Sequence, residues 1–261
     1  MLESVRGGLL RILLTNDDGV LAEGLRSLAQ AVRDLGEVLI VAPEREQSAA
    51  SRALTLDRPL RVRRIDEGTY SVDGTPTDSV LLAVRGIPGV VSFRPDLIVS
   101  GINHGPNLGD DVVYSGTVAA AAEGSLMGIP ALAVSLASWS PRDFRPAAAV
   151  TRRLIGRLAS CPMTPGTLLN VNIPEVGDGD YRGVRITRLG KRVYPDLIVE
   201  QRDPRGKACY WIGGEKPSWE PGEGSDFGAV EQGYISITPL HLDLTHHARL
   251  DELASWNLSL D

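Results

Sequence analysis

The chain has 261 residues and only two cysteines, Cys161 and Cys209, which lie far apart and outside any CxxC pattern. That scarcity excludes a disulfide framework and a zinc ribbon. An excess of positive charge is missing too. The net charge is -6 and no Lys/Arg stripe interleaved with aromatics runs along the chain, so a nucleic-acid polymer is not an expected partner. Arg61, Arg63 and Arg64 cluster, but they alternate with apolar residues, as on the wet face of a strand. No apolar run suits a membrane span: the longest weakly charged segment, "VAAAAEGSLMGIPALAVSLA", is broken by Glu123 and by "GIP". The head "MLESVRGGLLRILL" carries Glu3 and lacks the pattern of a secretory signal, so a cytoplasmic protein without membrane contact is expected.

What is present is the make-up of a soluble globular α/β protein, 43% hydrophobic and 23% charged. Leu9–Thr15 is short, apolar and closed by turn residues, which predicts a buried strand. Leu21–Leu35 follows with apolar positions at helical spacing and stops at Gly36. "EVLIVAP" is the second strand, and strand–helix–strand with short joints predicts a parallel sheet. "LRVRRI" and "TYSVDG" read as a peripheral hairpin. "TPTDSVLLAVRG" reads as a helix with Thr75 as N-cap, Pro76 at the first helical position and Asp78 reaching back. "PDLIVSG", "IPALAVSL" and "GTLLNVNIP" continue the core strands, with helices at "SGTVAAAAEGSLMG" and "AAAVTRRLIGRLAS" between them. Past Pro174 the texture turns richer in Gly, Pro and charge, and a last helix is expected over Ala248–Leu258. The expected organisation is an α/β body with a mostly parallel sheet over 1–174 and an extended β-rich arm with a terminal helix over 175–261.

Ligands of open parallel sheets bind beyond the carboxyl ends of the strands. Two loops there carry chemistry. In "TNDDG", Asn and Asp can cap a helix and Gly19 permits a positive φ, so a plain helix entry is one reading. Yet one cap needs one side chain, and Asn16, Asp17 and Asp18 are three candidates. Converging carboxylates strongly favour a hard cation on oxygen ligands. The loop "SGINHGPNLGDDVVYSGT" ends where Ser115 or Thr117 can cap a helix whose free N–H groups suit a phosphate. Phosphate would be repelled by two bare carboxylates, so a divalent cation between them is required, and metal-assisted phosphate ester hydrolysis follows.

Rival motifs fall short. No GxGxxG follows the first strand, and GxxxxGK[ST] is missing. "PDLIVSG" puts no Asp at the carboxyl end of its strand, as a receiver domain would, and the haloacid-dehalogenase pattern needs aspartates one residue apart rather than adjacent. The histidines His104, His241, His246 and His247 show no metal-ligand spacing, and His246 and His247 are expected to flank the terminal helix. Asp110 and Asp111 are expected to hold their loop by capping and hydrogen bonds.

"RILLTNDDGV", "VAPEREQSAAS", "GTPTDSV", "PDLIVSGINHGPNLGDDVVYSGTVAAAAEG" and "YISITPLHLDLT", in that order from about Leu9 to Thr245, resemble the SurE family of metal-dependent nucleotide phosphatases. The resemblance implies a Rossmann-like body whose C-terminal arm is exchanged between subunits of a homodimer or homotetramer. It implies hydrolysis of nucleoside 5′- and 3′-monophosphates, with polyphosphate as a further substrate. It implies one Mg²⁺ or Mn²⁺ per subunit on Asp17, Asp18, Ser48 and Asn103, of which Ser48 would otherwise be an ordinary loop serine. Around the phosphate the expected contacts are Asn16, Asn103, Ser115, Gly116 and Thr117. Asp17 is expected either to orient an attacking water or to attack phosphorus itself. A non-catalytic nucleotide sensor built on the same site is the alternative. The first eight residues, Leu21 and His104 depart from the family's usual pattern, and Leu21 and His104 bear on base preference rather than on the reaction.

Overall fold

The computed structural model describes residues 9–88, 93–161, 164–176, 180–193, 198–212, 218–220 and 222–258. The body runs β1 (Leu10–Thr15), α1 (Glu23–Val32), β2 (Gly36–Pro43), β3 (Val62–Asp66), β4 (Thr69–Val72), α2 (Pro76–Arg85) and β5 (Leu97–His104). It continues with α3 (Gly116–Leu126), β6 (Ala131–Ala137), α4 (Arg145–Ser160) and β7 (Leu168–Pro174). A 3-10 turn at Gly109–Val113 leads into α3. Beyond Pro174 come β8 (Val184–Ile186), β9 (Arg192–Val193), β10 (Ile198–Arg202), β11 (Ala208–Ile212), β12 (Ser218–Trp219), α5 (Asp226–Glu231), β13 (Ile235–Leu240) and α6 (Leu250–Ala254).

One nine-stranded sheet, in the order β3-β4-β2-β1-β5-β6-β7-β13-β8, organises the molecule. From β4 to β7 every neighbour is parallel. β3 closes one edge antiparallel to β4, which is the peripheral hairpin the alternating sequence predicts. Parallel strands are covered on both faces, and alternate residues of β1 show it: Ile12 and Leu14 enter one core, Leu13 the other. The first core lies under α1 and α4, with Leu25, Leu28, Ala147 and Ile155 packed on the strands. The second lies under α2 and α3, with Val80, Ala83 and the alanines of α3. Helix α3 is buried nearly all round, which suits its small side chains. The Thr75–Asp78 capping box starts α2 as its sequence predicts.

Residues after Pro174 divide between two roles. β13 pairs antiparallel with β7, and β8 pairs parallel with β13, so both extend the main sheet, while α5 packs on β13 and β7. The β10–β11 hairpin stands apart as its own two-stranded sheet. The terminal helix is shorter than the sequence pattern predicts: a 3-10 turn at His247–Arg249 precedes α6, with His246 and His247 at its start.

Strand order reverses between β1 and β5, because the chain first moves outward through β2 and then returns across β1. The residues following those two strands therefore face one crevice. Helix α1 is held close to its rim at Gly24, where a Cβ would overlap the Ile102 carbonyl and lie 3.1 Å from the Phe144 ring. Gly24→Ala is expected to lower stability by about 3 kcal/mol, at the upper end of overpacking costs because a backbone carbonyl cannot rotate away. A urea-unfolding midpoint equal to that of the unsubstituted protein would contradict that packing.

Candidate active site

After β1 the chain turns sharply. The Asn16 side-chain amide donates to the Gly19 carbonyl at 2.9 Å, and Gly19 takes φ +102°. Helix α1 begins only at Glu23, with Ala22 as an N-cap that offers no side-chain bond. The start expected at Leu21 is thus late, and neither Asp17 nor Asp18 caps the helix. Asp17, 4% exposed, turns instead to the N-terminus of α3 and accepts a hydrogen bond from the Thr117 hydroxyl. Gly116 makes that approach possible, since a Cβ there would lie 2.8 Å from the Asp17 carboxylate. Ser115 is the N-cap of α3, accepting from Val118 N at 3.1 Å. A carboxylate at this helix end also meets the positive end of the helix dipole.

Asp18 is half-buried and accepts from the backbone N–H of His104 at 3.2 Å, which joins the end of β1 to the end of β5. Asn103 donates its side-chain N–H to the Gly105 carbonyl at 2.9 Å, so its amide oxygen is the atom left for a ligand. Ser48 lies exposed, its hydroxyl donating to Glu46 Oε1 at 2.7 Å. Its loop is nevertheless tied to the site, because Gln47 N donates to the Asp17 carbonyl at 2.8 Å. Asp17, Ser115, Gly116 and Thr117 therefore come together directly, and Asn103 is joined to Asp18 through the backbone of its neighbour His104. Ser48 reaches the site through its neighbour's backbone.

The electrostatics are those of crowded negative charge. Burial pushes the Asp17 carboxyl above its usual range, and the Thr117 hydrogen bond only partly offsets this. Burial, then repulsion by Asp17, raises Asp18 from its ordinary 3.8 to about 6. Glu46 repels both carboxylates. A divalent cation is the species that would relieve all three. The donor chemistry fits one: carboxylates, an amide oxygen and a hydroxyl are hard oxygen ligands. The Asn16 amide oxygen is buried without a hydrogen-bond partner, a further oxygen awaiting a positive group. Among the described residues no three His, Cys, Asp or Glu side chains form a cage, so the fit depends on the neutral oxygens of Asn103 and Ser48.

Sequence reasoning missed the residues that support this loop. Asn107 is buried, donating from its backbone to Asn172 Oδ1 at 2.9 Å and from its side chain to Ser135 Oγ at 2.8 Å. Its carbonyl accepts from Asn170 and Asn172, at 2.8 and 2.9 Å. Asp226 of α5 accepts from Gly109 N and Gly190 N, both at 2.8 Å. Arg192 donates its backbone N–H to Asp110 at 2.9 Å and pairs its guanidinium with Asp111, so this second acidic pair serves to hold the loop. Asn170 and Asn172 on one face of an apolar strand were a visible signal. Asp226 offered none. Glu46, beside the "EREQS" block, also escaped notice.

Paired carboxylates after the first strand, an amide after its neighbour and a capped helix end between them define an α/β protein whose candidate ligand site lies at the strands' carboxyl ends. Comparison with known proteins narrows this. Residues 12–196 match the family model described as "Survival protein SurE". The chain is 49% identical over 247 residues to 5′-nucleotidase SurE of Methylococcus capsulatus, covering 95% of this chain and 97% of that one. It is 51% identical over 247 residues to 5′-nucleotidase SurE of Coxiella burnetii, covering 95% of each. The crystal structure of the SurE protein from Aquifex aeolicus superimposes with a TM-score of 0.83 at 42% identity, covering 95% of this chain and 100% of that chain. The chain belongs to the SurE family.

The raised Asp18 value has a stability consequence. Between about pH 4 and 6 the folded chain binds a proton that the unfolded chain has lost, so stability falls as pH rises through that window. In chelator, Asp18→Asn is therefore expected to be more stable than the unsubstituted protein at pH 7, by of the order of 2 kcal/mol. The difference should shrink toward zero at pH 4. Urea unfolding at the two pH values reads it, and a variant less stable at pH 7 would contradict the electrostatic assignment.

Proposed function

We propose that this chain is a metal-dependent nucleotidase that hydrolyses nucleoside 5′- and 3′-monophosphates to nucleoside and phosphate. Asp17, Asp18, Ser48 and Asn103 would hold one Mg²⁺ or Mn²⁺, and Asn16, Asn103, Ser115, Gly116 and Thr117 would surround the phosphate. The observation that carries this reading is the pair of mutually repelling carboxylates, Asp17 buried against the first turn of α3 and Asp18 half-buried beside it on the His104 N–H. The names of the relatives support the substrate class. When bound, the cation neutralises phosphate charge and acidifies a water.

The chain's own residues do the rest. Thr117 fixes one oxygen of Asp17, which orients the carboxylate to accept the proton of an attacking water or to attack phosphorus itself. Radiolabel retained on acid-quenched enzyme distinguishes the second course. The His104 N–H holds Asp18 in place, and Gly116 leaves room for the carboxylate and the phosphate at one helix end. Water supplies the oxygen that replaces the ester oxygen on phosphorus, and the nucleoside leaves with a proton.

Phosphate release from a panel of nucleoside monophosphates and polyphosphate is expected with Mg²⁺ or Mn²⁺, lost in chelator and restored by Mn²⁺. Asp18→Asn should lower turnover at least about 100-fold, since even outer partners of metal ligands cost 10–100-fold. Nucleotide binding without turnover under any metal would make the chain a sensor instead. Full turnover in Asp18→Asn would refute the metal assignment.

The proposal includes a second copy of the chain. Val184, Ile186, Ile198, Tyr210 and Trp211 are large apolar side chains left exposed on β8 and the β10–β11 hairpin, Ile186 and Ile198 at 73% each. Large apolar side chains exposed in this number mark an association site, and exchange of the hairpin between subunits would cover them. Light scattering is expected to give the mass of a dimer or tetramer, and a monomer at micromolar concentration would overturn this part. No helix among the described residues is long and apolar enough to cross a membrane. A cytoplasmic location completes the proposal.

A further inference from the structure

We propose that Trp139 is the platform on which the substrate's nucleobase stacks; this rests on the nucleotidase reading above. Trp139 lies in the loop after β6, the neighbour of β5, at the same end of the sheet as Asp17, Asp18 and Asn103. Its indole stands over Gly105, with ring carbons 3.9 and 4.0 Å from where a Cβ of that glycine would be. Gly105 is also the residue whose carbonyl accepts from Asn103, and the residue before it donates to Asp18. The ring therefore lies over the glycine whose carbonyl holds Asn103, one residue from the N–H that holds Asp18.

The exposure of Trp139, 57%, does not come from a slack loop. Ser138 N and Gly105 N both donate to the Leu136 carbonyl, at 2.8 and 3.2 Å. The Glu175 carboxylate accepts from Ser138 Oγ at 2.5 Å and from Arg142 N at 2.8 Å, which brackets Trp139 on both sides. Downstream, Phe144 is buried against Gly24. An anchored loop thus holds a large π-face toward solvent beside a phosphate-handling site. Bases stack on such faces, and the contact is largely indifferent to base identity because every base has a π-face.

Tyr114, 58% exposed, is another aromatic at this end, but its backbone carbonyl accepts from Ser51 N, on the side of the Ser48 loop. A nucleoside monophosphate carries one base, so the two positions give different outcomes.

The test compares adenosine 5′-monophosphate with ribose 5-phosphate, which shares the phosphate ester and lacks the base. Trp139→Ala is expected to raise KM for the nucleotide by about 10-fold and KM for ribose 5-phosphate by less than about two-fold, with Trp139→Phe recovering most of the loss. Calorimetric titration with adenosine, which involves no turnover, should show the same weakening. Equal changes for both substrates would overturn the proposal, as would a base-dependent loss in Tyr114→Ala with none in Trp139→Ala. If the unsubstituted protein turns over neither substrate, the nucleotidase reading fails by itself. The adenosine titration then decides Trp139 separately: no difference between Trp139→Ala and the unsubstituted protein would overturn it.

Discussion

The contact between Asp17 and the first turn of α3 is the constraint on which the rest of the site depends. A carboxylate nearly out of water is costly unless positive or donor groups surround it. Here the Thr117 hydroxyl donates to it and the end of the helix faces it, while Gly116 supplies the missing side chain that lets them meet. Because Asp17 follows β1 and α3 follows β5, this one contact locks together the two loops on either side of the strand-order reversal. Asp18 and the His104 N–H repeat the link a short distance away. Compensation is incomplete, as the raised proton affinities of both aspartates show. Stability has been given up locally at the place where chemistry is proposed, a familiar division between folding and activity.

A second tier of polar groups fixes the long loop between β5 and α3. Asn107 is held from β6 and β7, Gly109 from α5, and Asp110 and Asp111 from Arg192. Each tie uses a buried or half-buried group, as long connections inside a compact body require. Asp226 is drawn upward in proton affinity by burial and held back by the N–H groups of Gly109, Gly190 and Phe227.

Much of the fold was readable in the sequence because the core elements follow local rules. Buried strands such as β1 and β6 are short apolar runs, and α2 carries a complete capping box with Pro76. The start of α1 was misplaced since Leu21 fits the apolar spacing, yet the turn bonds of Gly19 and Val20 keep it out of the helix. In the site, "NDDG" drew attention by its charge. Glu46 did not, because its influence on Asp17 and Asp18 depends on a loop fold with no local pattern. Asp226 lies 117 residues from the glycine it holds, a pairing no spacing rule contains. Trp139 is likewise anonymous until Gly105 is found beneath it.

The position of β13 between β7 and β8 bears on how the chain is made. Synthesis delivers β1 to β7 and the loop from Gly105 to Ser115 well before Asp226 and β13 leave the ribosome. Until then β7 is an open sheet edge and Gly109 lacks its acceptor. The nascent chain therefore carries every proposed metal ligand while the loop that presents Asn103 and Ser115 is held from β6 and β7 at Asn107 but still lacks its ties to Arg192 and Asp226. Assembly of the site is reserved for a chain that is nearly finished.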